Sequence, residues 1–281
     1  MSTDQIIRFL QATFEALSNF ANSAFASAFL SALAGAGLGV WGAQRLAERG
    51  ARAKELLESL RQANATMILA TVIANQAFSL KKQYISELAD RYFKDREVAL
   101  EHHAKITNGE SPAPISFQAQ MTKITPVTVP LDALKNSVYS AQLVPGRSLA
   151  LVAMIEQSVN ELVHAINIRS ELIDAFREKS LPEHVFVQDY YALPHDNGTN
   201  SMYHDSMVAI KQYTDDLVFF AVELAEEMQV HASAVRADLL KLRKDAPKAS
   251  SVDFSPARES ALMPPRENYE SWLSGFKKQN P

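Results

Sequence analysis

"SAFASAFLSALAGAGLGVWGAQRLAERGARAKELL", Ser23 to Leu57, passes from alanine, glycine and phenylalanine into arginine and glutamate with no proline between them. The apolar part belongs to a longer run, Ala16 to Gln44, of 29 residues without a formal charge. A helix needs about 20 such residues to cross the hydrocarbon core of a bilayer, so the length suffices for an anchor. Alanine, serine and glycine dilute Phe25, Phe29, Leu30, Leu33, Leu38 and Val40, and that dilution also suits the core helix of a soluble protein. Two features favour the membrane. Trp41 stands where the run meets Arg45, Arg49, Arg52 and Lys54, the interfacial place of an amphipathic ring and snorkelling cations. Ala28, Ala32 and Ala36, with Gly35 and Gly39, follow the small-xxx-small spacing that lets two transmembrane backbones approach closely.

The flanks orient this segment. Arg8 is the only basic residue before it, whereas Arg45, Arg49, Arg52, Lys54 and Arg61 come after it, so the positive-inside rule puts the C-terminal side in the cytoplasm. A cleaved signal peptide competes with this reading, since "SALAGAG" offers small residues. Its n-region would hold Asp4, Arg8 and Glu15 and run unusually long, which favours an uncleaved single-pass anchor in the cell membrane.

At 281 residues, with 47% apolar and 21% charged side chains, the chain can fold into one large unit or two modest ones. A net charge of −4 gives no basic surface for nucleic acid. The absence of cysteine removes disulfides, thiolate nucleophiles, iron–sulfur clusters and cysteine-based zinc sites. There is no phosphate-binding glycine loop, no G-x-S-x-G elbow, no H-E-x-x-H and no kinase signature, so neither a cofactor nor a catalytic set is read from the sequence.

From Arg45 to about Thr107 there is no proline, and Asn108-Gly109 supplies a stop. At 100° per residue Leu57, Leu60, Met67, Thr71, Ala74, Phe78, Ile85 and Tyr92 gather on one face, the inner side of a long helix. Asn64, Thr71, Asn75 and Lys82 share that face and predict a buried polar seam, which sets helix register or lines a polar pocket. "NGESPAPISFQAQMTKITPVTVP" then reads as a connector with a short strand at most, succeeded by a short helix from Pro130 and a longer one from Pro145-Gly146 to about Lys179. On the longer helix Leu151, Ile155, Val159, Leu162, Ile166, Ile173 and Phe176 make the core face, and His164 with Asn160 and Asn167 makes a solvated one. Arg169 falls within the core face and joins the candidate seam. An unpaired guanidinium is costly there, so a carboxylate such as Asp216 or Glu227, or an anionic ligand, is the expected partner.

"HVFVQDYY" has the composition of a strand, and His195-Asp196 and His204-Asp205 repeat a His-Asp pair nine residues apart. Such pairs can bind metal, but no third ligand has a supporting spacing, so no metal site is assigned. The last long helix, from about Ser201 to Lys244, carries the stripe Tyr203, Ile210, Leu217, Leu224, Met228, Val235, Leu239 and Leu242, with His231 on its edge. After Pro247 comes a tail whose Tyr269, Trp272, Leu273 and Phe276 resemble a docking motif or a short packed helix.

The expected fold is therefore all-α: a single N-terminal transmembrane helix, a cytoplasmic antiparallel bundle of long helices, and short β-like loop segments. Residues 1–44 form the anchor, 45–246 the bundle, and 247–281 a flexible tail. The expected role is a membrane-tethered scaffold or sensor. It acts as a homo-oligomer on a lipid bilayer, with a protein partner at the tail. The alternatives are a membrane-perturbing effector that oligomerises through its small-residue helix, and a metal-dependent hydrolase using the His-Asp pairs.

Overall fold

The computed structural model describes residues 3–21, 24–140, 145–179, 182–195 and 198–276, with the side chains of 3, 4, 11, 16–21, 24–27, 29, 30, 33, 34 and 183 excepted. Within these residues every regular element is helical. Helix α1 is Thr3–Ala21 and α2 is Ala24–Leu80; a π-helical turn, Lys81–Ile85, leads directly into α3, Ser86–Thr107. The rod stops where the sequence signals: Gly109 takes a left-handed conformation at φ 81°, and its N–H and that of Glu110 return to the carbonyls of Ile106 and Lys105.

Two short helices and two long ones complete the bundle: α4, Leu131–Tyr139; α5, Gly146–Glu178; α6, Glu183–Tyr191; and α7, Met202–Leu242. α7 is central. The start of the buried part of α2, through Leu56, Leu60 and Ala63, packs on its last turns at Ala232, Val235 and Leu239. Tyr92 of α3 packs on its first turn at Tyr203. Between these ends α5 covers another side with Leu151, Ile155, Leu162 and Ile166, and "LVFFAV", Leu217 to Val222, is buried all round because helices flank it on more than one side.

The strand-like segments are a correction. "HVFVQDYY" lies in α6: the carbonyl of Pro182 accepts from the N–H groups of Val185 and Phe186, and Ala192 ends the helix in a left-handed conformation. A strand would send Tyr190 and Tyr191 to opposite faces, whereas a helix sets consecutive residues 100° apart and both rings enter the core. The connector 110–130 also forms no strand. Its alternation is genuine, since Phe117, Ala119 and Met121 pack against the aromatic cluster, but no neighbouring strand supplies a ladder. The only β-type pairing among the described residues is the bridge between His195 and Gly198.

The segment expected to be a flexible tail is laid along the bundle. It contains α8, Ser255–Glu259, a 3₁₀ turn, Arg266–Tyr269, and α9, Glu270–Ser274. Phe254 and Tyr269 are buried, and Trp272 meets Phe220 with ring centroids 5.1 Å apart. Enclosed aromatic surface gives this polar-rich segment the drive that its own short helices lack.

Candidate functional site

Three places carry chemistry, and the N-terminal arm is the first. Every described side chain of α1 is exposed, and so is every one on α2 from Gly35 to Arg52; Ala53 is the first buried residue of α2 among those described. The arm shows Phe9, Leu10, Phe14, Leu38, Val40, Trp41 and Leu46 to solvent. The guanidinium of Arg45 lies 4.9 Å from the centre of the Trp41 ring. Ala28, Ala32, Gly35, Ala36 and Gly39 are exposed, and nothing within 4 Å would meet a Cβ at Gly35 or Gly39. By length and composition two described stretches, Gly35–Thr107 and Gly146–Glu178, could cross a membrane; in their most apolar windows 50% and 44% of residues are buried in the bundle.

The second place is centred on Arg169, and the polar seam is not assembled around it. Arg169 is buried, and its partners are main-chain oxygens: it donates to the carbonyls of Gln120 and Thr122, both at 2.9 Å, and sits 5.6 Å from the centre of the Tyr203 ring. The expected carboxylates bind elsewhere, Asp216 to Tyr269 and Glu227 to Arg147 and Ser148. The connector has no strand ladder, so the carbonyls it turns toward Arg169 take side-chain donors, and a guanidinium fork can serve two at once. Arg177 donates likewise to the Met121 carbonyl, and the Gln120 N–H donates to the Tyr190 hydroxyl.

The remaining seam residues separate. Asn64 clamps the tail, donating to the Lys248 carbonyl at 3.1 Å and accepting the Ser250 N–H at 2.9 Å. Thr71 donates back to the Met67 carbonyl, while Asn75 and Lys82 are exposed. Of the two neighbouring lysines it is Lys81 that reaches inward: seven residues after Ala74 and four after Ala77, it continues their buried face and meets Asp215 at 2.6 Å and the Leu262 carbonyl at 2.9 Å.

Around Arg169 stands a cluster of Tyr92, Tyr190, Tyr191, Tyr203, Phe176 and Phe186. Burial pushes the hydroxyls of Tyr92, Tyr190 and Tyr191 upward, so they act as neutral donors and acceptors. Tyr92 donates to the Tyr190 carbonyl, and its oxygen lies 3.3 Å from Nδ1 of His204. Burial first, and Arg96 second, hold His204 below its ordinary value of 6.5. A histidine shifted down contributes stability that is full above that value and is lost as the pH falls toward its folded value. Urea midpoints at about pH 7.5 and about pH 5.5 should therefore fall further in the wild type than in His204→Gln. Equal falls would show that His204 does not carry the acid sensitivity.

The third place is the tail dock on α7. Glu223, a buried carboxylate, is held by Arg147 from α5 and Arg266 from the tail, and Glu227 accepts from Ser148 at 2.5 Å. Tyr269 stacks on Phe219 with centroids 3.7 Å apart and donates to Asp216 at 2.8 Å. Burial raises the Asp216 carboxyl above its ordinary value, and the Tyr269 hydroxyl opposes that rise. Beside them an open cleft of about 520 Å³ is lined by Phe93, Lys211, Asp215, Asp216, Asn268 and Tyr269. Asp215 is engaged by Lys81 and Asp216 by Tyr269, so these carboxylates serve structure.

Of the His-Asp pairs, Asp196 lies outside the described residues, and Asp205 accepts from the Ser201 hydroxyl. No group of three or more metal-ligating side chains gathers among the described residues. His164 lies on the solvated face of α5. Sequence reasoning missed Arg147, Glu223 and Arg266, whose pairing joins three distant segments with no local spacing to reveal it. The fold and these sites define an all-α protein whose tail is strapped to a central helix and whose N-terminal arm stands clear. No protein-family model, curated protein or solved structure matches the chain.

Proposed function

We propose that this protein is a membrane-tethered helical scaffold or sensor, held in the bilayer by a single N-terminal helix with its antiparallel bundle on the cytoplasmic side. The observation that carries this reading is the arm: among the described side chains Phe9, Leu10, Phe14, Leu38, Val40, Trp41 and Leu46 are exposed, and the first described side chain to be buried on α2 is Ala53. From Ala24 to Gln44 the helix is about 30 Å long, the thickness of the hydrocarbon core. Trp41 and Arg45 fall at its end, where an amphipathic ring and a snorkelling cation are favoured. Ala28, Ala32, Gly35, Ala36 and Gly39 then offer a close-packing face for a second copy, which makes a homo-oligomer the working form. Occupancy at the bundle or tail is transmitted through the long helices to this assembly.

Fractionation tests the tether. The full chain should remain with membranes after a carbonate wash, and a chain starting at Arg45 should move to the soluble fraction. A full chain released by carbonate would overturn the proposal.

A further inference from the structure

We propose that α1 is an interfacial helix, lying in the plane of the bilayer at the outer end of the anchor and binding lipid by apolar insertion without need of anionic headgroups. This rests on the anchor reading. α1 is too polar at its centre to span, because Arg8 and Glu15 both lie well inside it. It is instead two-faced. Ile6, Ile7, Phe9, Leu10 and Phe14 occupy one arc of the helical projection and are all exposed, with Phe14 at 77%. Arg8 and Glu15 stand on the opposite arc, also exposed. A folded protein rarely leaves so continuous an apolar face in water.

Thr13, the polar residue within the apolar arc, is already satisfied. Its hydroxyl donates to the Phe9 carbonyl at 2.7 Å and reaches the Leu10 carbonyl at 3.0 Å, so it needs no water when lipid covers it.

The bilayer is the occupant because of where α1 is joined. Only residues 22 and 23 separate it from α2, so an anchor beginning at Ala24 brings the end of α1 to headgroup depth. The charge pattern sets the lipid preference. Asp4, Arg8 and Glu15 are the only formal charges in α1 and sum to −1, which gives anionic lipid no handle. Binding then comes from apolar side chains entering the boundary between headgroups and acyl chains, to a depth of about 5–10 Å.

The absence of cysteine makes the test direct. Single cysteines replacing Ile7, Leu10, Phe14, Arg8 and Glu15 of the full chain are labelled with an environment-sensitive fluorophore, and the protein is reconstituted in phosphatidylcholine vesicles. Spin-labelled lipid should quench positions 7, 10 and 14 severalfold more than iodide does, and iodide should dominate at 8 and 15. Adding phosphatidylserine should leave the pattern unchanged. Iodide quenching at all five positions in a carbonate-resistant protein would overturn this inference and leave the anchor standing. Release by carbonate would remove both. Protection from both quenchers in Phe14→Cys, with disulfide crosslinking of two copies through that position, would assign the face to helix pairing and overturn it. A pattern that arises only with phosphatidylserine would overturn the charge-independent mode.

Discussion

Arg169→Ala should destabilise the bundle by about 3–5 kcal/mol. The substitution leaves the carbonyls of Gln120 and Thr122 without their donor and empties the space beside Tyr203. Each buried hydrogen bond to a charged group is worth about 1.5–3 kcal/mol, and the void adds a packing loss. Thermal unfolding should show a fall of roughly 10 °C. Arg169→Met retains much of the volume and should recover only the packing part. Arg169→Lys retains the charge, but a compact ammonium does not reproduce the planar fork that meets two carbonyls, so it should also fall short. His164→Ala, on the solvated face of the same helix, should stay within about 0.5 kcal/mol of the wild type. Equal, small shifts at both positions would mean that Arg169 does not hold the connector.

Tyr269→Ala should release the tail from α7. The ring is buried, stacked on Phe219 and bonded through its hydroxyl to Asp216, and truncating a buried aromatic costs about 3–5 kcal/mol. Each 1.4 kcal/mol is tenfold, so the docking equilibrium should shift by about two orders of magnitude or more. The ring closes one side of the main core, but α2 and α5 also pack directly on α7, so the loss is expected chiefly in the tail. Amide hydrogen exchange should rise across residues 248–276 and stay low in the middle of α7. Proteolysis should cut the tail first. Tyr269→Phe keeps the stack and removes only the bond to Asp216, so it should cost about 1 kcal/mol. Undisturbed exchange in Tyr269→Ala would show that Arg266, Asn64 and Phe254 hold the tail without it.

The tail dock also bears on the proposed sensing role. Asn64 and Gln229 hold its main chain, Lys81 and Arg266 hold its turns, and all four contacts open together if the tail leaves. Departure would uncover Phe78, Phe219 and Phe220 and strand Glu223 with one arginine instead of two. A partner that takes the tail must offset that exposure.

Much of the helical architecture was present in the sequence, since periodicity and breakers act within a turn or two. Gly109 ends the first rod, and the buried faces of α2, α5 and α7 carry the residues that the 3.6 period selects. The need of Arg169 for a partner was legible too, because burying a guanidinium among apolar residues is costly whatever surrounds it. The identity of that partner was not. Main-chain carbonyls are the same at every residue, so no pattern of side chains could announce that a strandless connector would bring two of them to Arg169. The same limit hid the partners of Lys81, which lie on α7 and in the tail, and the helical state of α6, which depends on the core that receives Tyr190 and Tyr191. Apart from α6, local sequence determined which segments are helical and which faces are apolar; the tertiary structure decided which polar groups meet, because those pairings join residues some 40 to 190 positions apart and are set by the packing of whole helices.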